Sequence, residues 1–415
     1  MVLSYGPLCE EYDHGHVRGR RPRRHLRPGP AGGEGGDAAA DRLPRYGHDT
    51  LFASVKRLSE RSTAYADAES LRMVYPAAAE HAQTSELSEN TGEAQLVEAF
   101  EALTDHAITK RPMVPGQTGA QLSGGMDSTN LAISLALAYP GAITPCALLI
   151  GGPAGPQQEE RRRTVIEQTG FAADCTVRAA DHLTLSPGGL RRARAEAISP
   201  LDEPHLEAAD ALAQALRARG MHTVVAGFGG DEVARVRRPE GGPVRTPTAP
   251  AWCGERVREL LGEVNTGISP ATVAPETALV ALEVATPLLA RRGLWAVAPF
   301  TDPDMVRFGQ RLPVEWKTDK RLLHRRLAAR GLPKKVVNPP LRENFGHLMN
   351  HAVHQYATGL LRGWGKELHL IEQGYLDAAV LAETVERAAT APEDAAPFRT
   401  GLFLITAVEL ALRAL

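Results

Sequence analysis

The sequence predicts an α/β protein with a doubly wound parallel sheet and a largely helical carboxyl-terminal part. Strand-like and helix-like stretches alternate between about residues 91 and 235, which is the pattern of such sheets. The continuous apolar run Ile143–Ile150 fits a parallel strand that is covered on both faces. From about Trp252 onward the spacing of apolar residues is mostly helical. At 415 residues the chain is long enough for one large domain or two, with a full core.

The stretch around residue 124 organises the predicted sheet. Gly119–Leu122 is typical of the end of a short buried strand, and Asp127–Tyr139 has the apolar content of a helix buried on most sides. Ser123, Gly124 and Gly125 lie between them. Two glycines allow a sharp turn and a close approach of backbone to a ligand. The sequence therefore predicts a strand, a glycine turn and a helix start in immediate succession.

This turn has the chemistry of a phosphate site. The free amides and the positive dipole end of a helix start bind phosphate. Ser123, Ser128 and Thr129 add hydroxyl donors, and Asp127 adds a carboxylate suited to a metal ion. A glycine pair alone is common between a strand and a helix and would indicate nothing more. Ser-Gly-Gly-x-Asp-Ser in this position is far more specific.

The following elements predict a second loop at the same edge of the sheet. The helix Pro204–Arg219 ends at Gly220, and the strand His222–Ala226 leads into the turn Gly227–Glu232. Ligands of open parallel sheets bind at the carboxyl ends of the strands. We therefore expect the turn and the Ser123 loop to face one site. The remaining predicted elements are a helix over Thr91–His106, a charged helix over Glu159–Gln168 ended by Gly170, and a third strand over Cys175–Arg178.

Five stretches, in order, carry a resemblance to a known family. Ser123–Ser128 resembles the pyrophosphate loop of ATP pyrophosphatases, and most of all that of the asparagine synthetase branch. Leu201–Pro204, Ala226–Glu232, Pro299–Asp302 and Asp319–Leu323 resemble that family's later motifs. The resemblance covers about residues 86 to 350. It implies a sheet of the adenine-nucleotide-binding pyrophosphate-loop type.

The resemblance implies ATP and Mg²⁺ as cofactors and a ligase reaction. Members of the family activate a carboxylate as an acyl-adenylate with release of pyrophosphate, and an amine then displaces AMP. It implies that Asp127 and Asp231 hold Mg²⁺ and that Lys320 holds pyrophosphate and the developing charge. The alternatives are a helix-capping aspartate for Asp231 and an ordinary surface lysine for Lys320. The positions expected to contact the nucleotide are Leu122, Ser123, Gly124, Gly125, Asp127, Ser128, Ile150, Ala226 and Gly227. For Ile150 a plain core role is equally compatible.

The sequence departs from the family at three places. Phe228 stands where the family has a glutamate, and it can neither transfer a proton nor accept a hydrogen bond from an amine. Trp295 and Val297 replace the glutamate and arginine that precede the family's Pro-Phe segment. These changes put aspartate as the substrate in doubt. Glu283 is the one candidate for the second acid–base residue, alongside a simple role as a solvated helix glutamate.

The amino-terminal part differs in composition from the rest. Residues 1–49 contain six arginines between Arg18 and Arg27 and a stretch rich in glycine and proline, which predicts a disordered leader. A nucleic-acid-binding arm is the alternative reading of that segment. Residues 50–85 resemble only the family's connecting segment, and residues 86–415 are predicted to form the ligase domain. Val2 stands where the family's glutaminase has its nucleophilic cysteine, so we expect that this activity is missing.

Composition argues against several classes of protein. The net charge is −2, which gives no general attraction to nucleic acid or to a membrane. The four cysteines are scattered without metal-binding spacing and are typical of reduced thiols in a cytoplasmic protein. No secretory signal is evident, and the apolar stretch Gly401–Leu415 is too short to span a bilayer. We expect it to be a buried terminal helix.

Together these features predict a cytoplasmic, adenylating amide ligase of asparagine synthetase type. Its partners would be a small-molecule or peptide carboxylate and ammonia or an amine, with ammonia either free or supplied by a separate glutaminase. The first alternative is a biosynthetic amide ligase that resembles β-lactam synthetase or a lasso-peptide cyclase, which Phe228 and the aromatic Trp295 favour. The second is an inactive nucleotide-binding scaffold, against which Ser123, Asp127, Asp231 and Lys320 argue.

Overall fold

A computed structural model describes residues 58, 62–67, 70–74, 92–193, 198–234, 249–260 and 276–415. Its main sheet has five parallel strands, in the order β5-β4-β3-β6-β7. A separate hairpin, β1 (Thr63–Ala66) and β2 (Leu71–Val74), pairs antiparallel and is mostly exposed. The sheet strands are β3 (Thr118–Gln121), β4 (Thr144–Leu149), β5 (Cys175–Arg178), β6 (Thr223–Val225) and β7 (Trp295–Val297).

Helices cover both faces of the sheet and form most of the chain after residue 300. Those of the first part are α1 (Glu93–Thr109), α2 (Met126–Ala138), α3 (Gly155–Thr169), α4 (Leu206–Ala218), α5 (Gly230–Ala234), α6 (Glu255–Leu260) and α7 (Glu276–Arg291). Those that follow are α8 (Pro303–Arg311), α9 (Val314–Lys317), α10 (Arg321–Ala329), α11 (Lys334–Val337), α12 (Gly346–Ala352), α13 (Thr358–Trp364), α14 (His369–Glu372), α15 (Ala378–Ala388) and α16 (Arg399–Ala414).

The doubly wound sheet confirms the predicted fold class. Val225 lies in the core cluster shared with α1, α2, α8 and α10, whereas its neighbour Val224 lies in the cluster shared with α4. Successive residues of a strand point to opposite faces, so both faces of β6 are covered. The chain crosses from β3 outward to β4 and β5 and then returns through α4 to β6 on the other side. The carboxyl ends of β3 and β6 are therefore neighbours.

Strand β7 lies inside the stretch that was predicted to be mostly helical. It has only three residues, and it pairs with β6 through Thr223 opposite Trp295. So short a strand leaves no alternating apolar pattern to recognise. Its carboxyl end leads into the 3₁₀ turn Pro299–Thr301, which lies against the turn that follows β6.

A second core joins the helical carboxyl-terminal part to α6. Trp252 and Val257 pack in one cluster with residues of α12 to α16. The terminal helix α16 is buried as predicted, and Glu409 within it is fully buried beside His369 and Arg413. Within the residues that the model describes, no helix has both the length and the apolar character needed to cross a membrane. Cys146, Cys175 and Cys253 are free and buried, while Cys9 lies outside the described residues.

Candidate active site

The Ser123 loop forms a closed turn between β3 and α2. Gly124 has a φ of +94°, a conformation that favours glycine. The Oγ atoms of Ser123 and Ser128 lie 2.8 Å apart, and the Ser128 hydroxyl also accepts from the Ser123 amide at 3.2 Å. The Gly125 amide donates to Ser123 Oγ at 3.2 Å. The two serines therefore shape the loop, and the first turn of α2 begins directly behind it.

The turn after β6 packs directly on this loop, as the adjacency of β3 and β6 requires. A Cβ atom at Gly227 would lie 2.8 Å from the amide nitrogen of Ser128. A Cβ atom at Gly230 would lie 2.5 Å from Cγ of Asp127. Both glycines are thus required by close approach. The structure brings together the two loops that the sequence placed at one edge of the sheet. Ala226 is buried at the end of β6, and Gly227 is half-buried in the turn.

Lys320 lies between the two predicted metal ligands. Its Nζ is 2.6 Å from Oδ2 of Asp127 and 2.6 Å from Oδ1 of Asp231. Lys320 and Asp319 both have positive φ, at 54° and 50°, just before α10 begins. Non-glycine residues rarely adopt this conformation, and such strain is concentrated at functional sites. It is stabilised here by the packing of Leu322, Leu323 and Leu327, which are all buried.

Burial and charge perturb the pKa values of this trio. Burial raises the pKa of Asp127 to about 6; the attraction of Lys320 opposes that shift, and the repulsion of Asp231 adds to it. For Lys320, burial lowers the pKa, but the attraction of Asp127 and Asp231 outweighs burial, and the net direction is upward. Lys320 therefore stays a cation over the physiological range. Asp127 changes charge much closer to neutral pH than an ordinary aspartate does.

The same carboxylates fit a magnesium ion. Oδ1 of Asp127 is buried without a hydrogen-bond partner, which is costly unless something else binds it. Mg²⁺ prefers one or two carboxylates and takes its other ligands from phosphate oxygens and water. Among the described residues there is no group of three or more His, Cys, Asp or Glu side chains arranged for a metal. The donor set of Asp127 and Asp231 therefore suits a metal that arrives with a nucleotide.

Two buried side chains of α3 hold the loop ends in place, and sequence reasoning missed both. Gln158 accepts from the Ile150 amide at 2.9 Å and donates to the Ser123 carbonyl at 2.8 Å. Arg162 donates to the carbonyl of the fully buried Leu122. Helix α3 begins four residues earlier than predicted, at Gly155, and its polar face is turned inward. Ile150 is buried at the end of β4, where both a core role and a ligand contact are compatible with its place.

The Leu201–Pro204 motif fixes the start of α4 at the same edge of the sheet. Arg191 donates to the Glu203 carbonyl at 2.6 Å and to Oε2 of Glu207 at 3.0 Å. Burial raises the pKa of the Glu203 carboxyl, while its hydrogen bond from the His205 amide opposes the shift. These contacts explain the motif as a structural anchor for α4.

The departures from the family pattern lie in different places. Phe228 is half-buried in the turn beside the loop, so it belongs to the site. Trp295 lies at the amino-terminal end of β7 and is 71% exposed. Its backbone amide donates to the His222 carbonyl. Trp295 therefore lies at the end of β7 that is opposite to the Ser123 loop, and its interpretation as a sign of a different substrate stays a prediction. Val297 is a core residue. Glu283 lies half-buried in α7, and its acid–base role stays a prediction.

Comparison with known proteins found one family model that matches part of the chain. The family model described as asparagine synthase matches residues 277–411, and no glutaminase domain was matched. The match includes Lys320 and the Pro299–Asp302 motif, and it runs beyond residue 350, where the resemblance in the sequence ended. It does not include the Ser123 loop. No curated protein matches the chain at the significance level applied.

Proposed function

We propose that this chain, whose residues 277–411 match the asparagine synthase family model, is an ATP-dependent amide ligase. It adenylates a carboxylate, releases pyrophosphate, and transfers the acyl group to ammonia or an amine. The observation that carries the proposal is the position of Lys320, within 2.6 Å of both Asp127 and Asp231 and beside the glycine loop. A cation, two metal-binding carboxylates and a phosphate loop are the parts that this reaction needs.

The chemistry follows from where negative charge develops. When the carboxylate attacks the α-phosphorus of ATP, the bond to pyrophosphate breaks and charge moves onto the leaving group. Donors already aimed at that charge lower the barrier most. The start of α2 supplies backbone amides, and Lys320 supplies a mobile cation. Asp127 and Asp231 would hold Mg²⁺, which neutralises phosphate charge when it is bound.

Lys320 has two tasks in this proposal. Without nucleotide it neutralises two carboxylates that would otherwise repel each other, that of the mostly buried Asp127 and that of the half-exposed Asp231. Once those carboxylates carry a divalent ion, its ammonium group becomes available to pyrophosphate. A lysine suits both tasks because its stem is flexible and its charge is compact.

The residue that bears on the acceptor amine is Phe228. Phe228 lies in the turn beside the loop and can accept no hydrogen bond from ammonia. This favours the second candidate function, a biosynthetic ligase whose amine belongs to a larger substrate, over asparagine synthesis. If the amine is ammonia, a separate glutaminase is a fitting source.

Product analysis tests the proposal. The protein is incubated with Mg·ATP and a panel of amino acids and peptide acids, with hydroxylamine as a general amine. The proposal predicts AMP and pyrophosphate together with a hydroxamate of the accepted acid. Formation of ADP and phosphate would contradict it. Binding of ATP with no turnover on any acid would support the inactive scaffold instead.

A further inference from the structure

A segment after α10 is fastened across α3, next to the Ser123 loop. This segment, residues 334–347, is called the strap below. The Gln157 side chain pairs with the strap backbone in both directions, donating to the Leu341 carbonyl at 2.9 Å and accepting from its amide at 3.0 Å. Farther from the loop, Lys335 forms an ion pair of 2.6 Å with Glu160. Contacts from two adjacent turns of α3 thus hold the strap in one position.

Glu343 of the strap lies against the glycine loop. Its Oε1 accepts from Arg161 Nη1 at 2.8 Å and from Gln157 Nε2 at 3.2 Å. Its Oε2 lies 2.8 Å from the position that a Cβ atom on Gly124 would occupy. The Glu343 side chain is only 11% exposed. A carboxylate oxygen therefore contacts the first glycine of a loop built to receive phosphate.

Arg161 holds the strap backbone and also forms an ion pair with the Glu343 carboxylate. Besides Glu343, it donates to the Val336 carbonyl through Nε at 3.2 Å and Nη2 at 2.9 Å. Its contact with Glu343 is to Oε1, while Oε2 is the oxygen that lies against Gly124. Oε2 therefore places negative charge, reduced by the ion pair with Arg161, beside the amides of the loop. The Arg161 and Glu343 side chains are only 4% and 11% exposed, so their charges interact more strongly than on an open surface.

We propose that Glu343 makes the phosphate loop select the metal complex of its nucleotide over the metal-free form. The inference rests on the proposed function and assigns a specificity role that the ligase reaction itself does not require. Metal-free ATP would bring its full phosphate charge next to Oε2 of Glu343. A divalent ion on the phosphates lowers that charge, and the repulsion falls with it. The carboxylate therefore penalises metal-free ATP more than Mg·ATP.

The test measures ATP binding with Mg²⁺ and with a chelator. Calorimetry gives the two dissociation constants for the wild type, Glu343→Gln, Glu343→Asp and Glu160→Gln. Glu343→Gln should tighten metal-free ATP binding on the order of tenfold, as expected for removing one charge at short range. The preference for Mg·ATP should fall by about the same factor. Glu343→Asp keeps the charge and should keep most of the preference.

Glu160→Gln is the matched control. It removes another ion pair between α3 and the strap, at exposed side chains, where such pairs contribute little. If the strap acted only by its attachment, both glutamine variants would change binding alike and Glu343→Gln would weaken it. An unchanged Mg²⁺ preference in Glu343→Gln would overturn the inference while leaving the proposed function in place. A wild-type protein that binds no ATP in either condition would overturn both.

Discussion

Three charged side chains decide what the site can bind. Nζ of Lys320 lies 2.6 Å from Oδ2 of Asp127 and 2.6 Å from Oδ1 of Asp231. The three side chains carry a net charge of −1 when all are ionised. The buried Oδ1 of Asp127 has no partner among them. The net negative charge of this trio and the unpaired Oδ1 suit a metal cation. The trio lies beside a loop whose amides suit an anion. The combination fits a metal–phosphate complex better than either component alone.

The raised pKa of Asp127 gives a pH dependence with a defined sign. A carboxyl group with a pKa of about 6 is protonated below that pH, and the protonated form is a poor metal ligand. The Mg²⁺-dependent gain in ATP affinity should therefore be full above about pH 7 and be lost as the pH falls through 6. Calorimetric titrations from pH 5 to pH 8 measure it.

The Asp127→Asn variant separates this effect from the titration of ATP itself. Its ATP binding should show little dependence on Mg²⁺ at any pH, so that its remaining pH dependence belongs to the nucleotide. The same Mg²⁺ gain and the same midpoint in both proteins would remove Asp127 from the metal site.

Phe228 offers a residue-scale test of the amine. Phe228→Leu should act through packing and change the apparent affinity for substrates more than the rate constant. Phe228→Glu restores the family residue and should raise turnover with ammonia if ammonia is the acceptor. With a larger amine substrate, a half-buried unpaired carboxylate should lower turnover instead. Pyrophosphate release with ammonia and with candidate amines distinguishes the two. Equal effects of both variants on every amine would show that Phe228 does not contact the acceptor.

At the scale of elements, simple sequence patterns were enough to predict several strands and helices. The strands Cys175–Arg178 and β4 and the helices α1, α2 and α4 follow from apolar runs and glycine stops. The side-by-side placement of the two glycine loops followed from their position after strands of one parallel sheet. Strand β7 and the inward polar face of α3 did not follow. One is too short to show a period, and the other buries Gln158, Arg161 and Arg162, which a hydrophobicity pattern assigns to solvent.

Contacts between residues far apart in the chain could not be predicted from local sequence patterns. The contact of Glu343 with Gly124 joins residues more than two hundred positions apart, and no local propensity encodes it. The presence of Lys320, Asp127 and Asp231 in one site was expected only through the family resemblance, and the ion pairs between them were not expected. The backbone conformation of Asp319 and Lys320 could not be expected, because positive φ is uncommon for residues other than glycine and no local pattern marks these two positions.

The packing of α8 on α5 connects an element to the site. A Cβ atom at Gly309 would lie 2.7 Å from Cα and 2.8 Å from the carbonyl oxygen of Val233. Those are backbone atoms of α5, the helix that carries Asp231. Gly309→Ala should therefore destabilise the fold by about 1–3 kcal/mol. It should also weaken Mg²⁺-dependent ATP binding, because α5 must shift.

Gly359→Ala is the control for Gly309→Ala. Gly359 is exposed in a helix, and nothing lies within 4 Å of its added Cβ atom. This change should stabilise the protein by about 0.5–1 kcal/mol, since alanine loses less backbone entropy. Thermal melting and chemical denaturation measure both variants. Equal melting temperatures for the two would contradict the assigned contact between α8 and α5.

At the scale of the whole molecule, two cores serve two purposes. The sheet core positions the loops, and the helical core of α6 and α12 to α16 lies against it through the strap, where His347 bonds to the Ile150 carbonyl at 3.0 Å. The asparagine synthase match begins in α7 and runs through that helical core, while the glycine loops precede it. The site is therefore assembled from both sides of the match boundary.

The predicted leader gives a test at this scale. Residues 1–49 lie outside the described residues, and their composition offers no core. Deleting them should leave the melting temperature and ATP binding nearly unchanged. A large drop in melting temperature, or loss of soluble protein, would show that the leader packs on the domain.

Carboxylate-dependent exchange of labelled pyrophosphate into ATP measures the adenylation step itself. With Mg²⁺ at saturation, the wild-type protein should catalyse this exchange for its accepted acid. Lys320→Ala should slow it roughly a hundred- to thousandfold, about 3–4 kcal/mol of transition-state stabilisation, with ATP affinity nearly intact. Lys334→Ala, which removes an exposed lysine at the start of α11, should leave it unchanged. A Lys320→Ala protein that exchanges at the wild-type rate would contradict the account of this site.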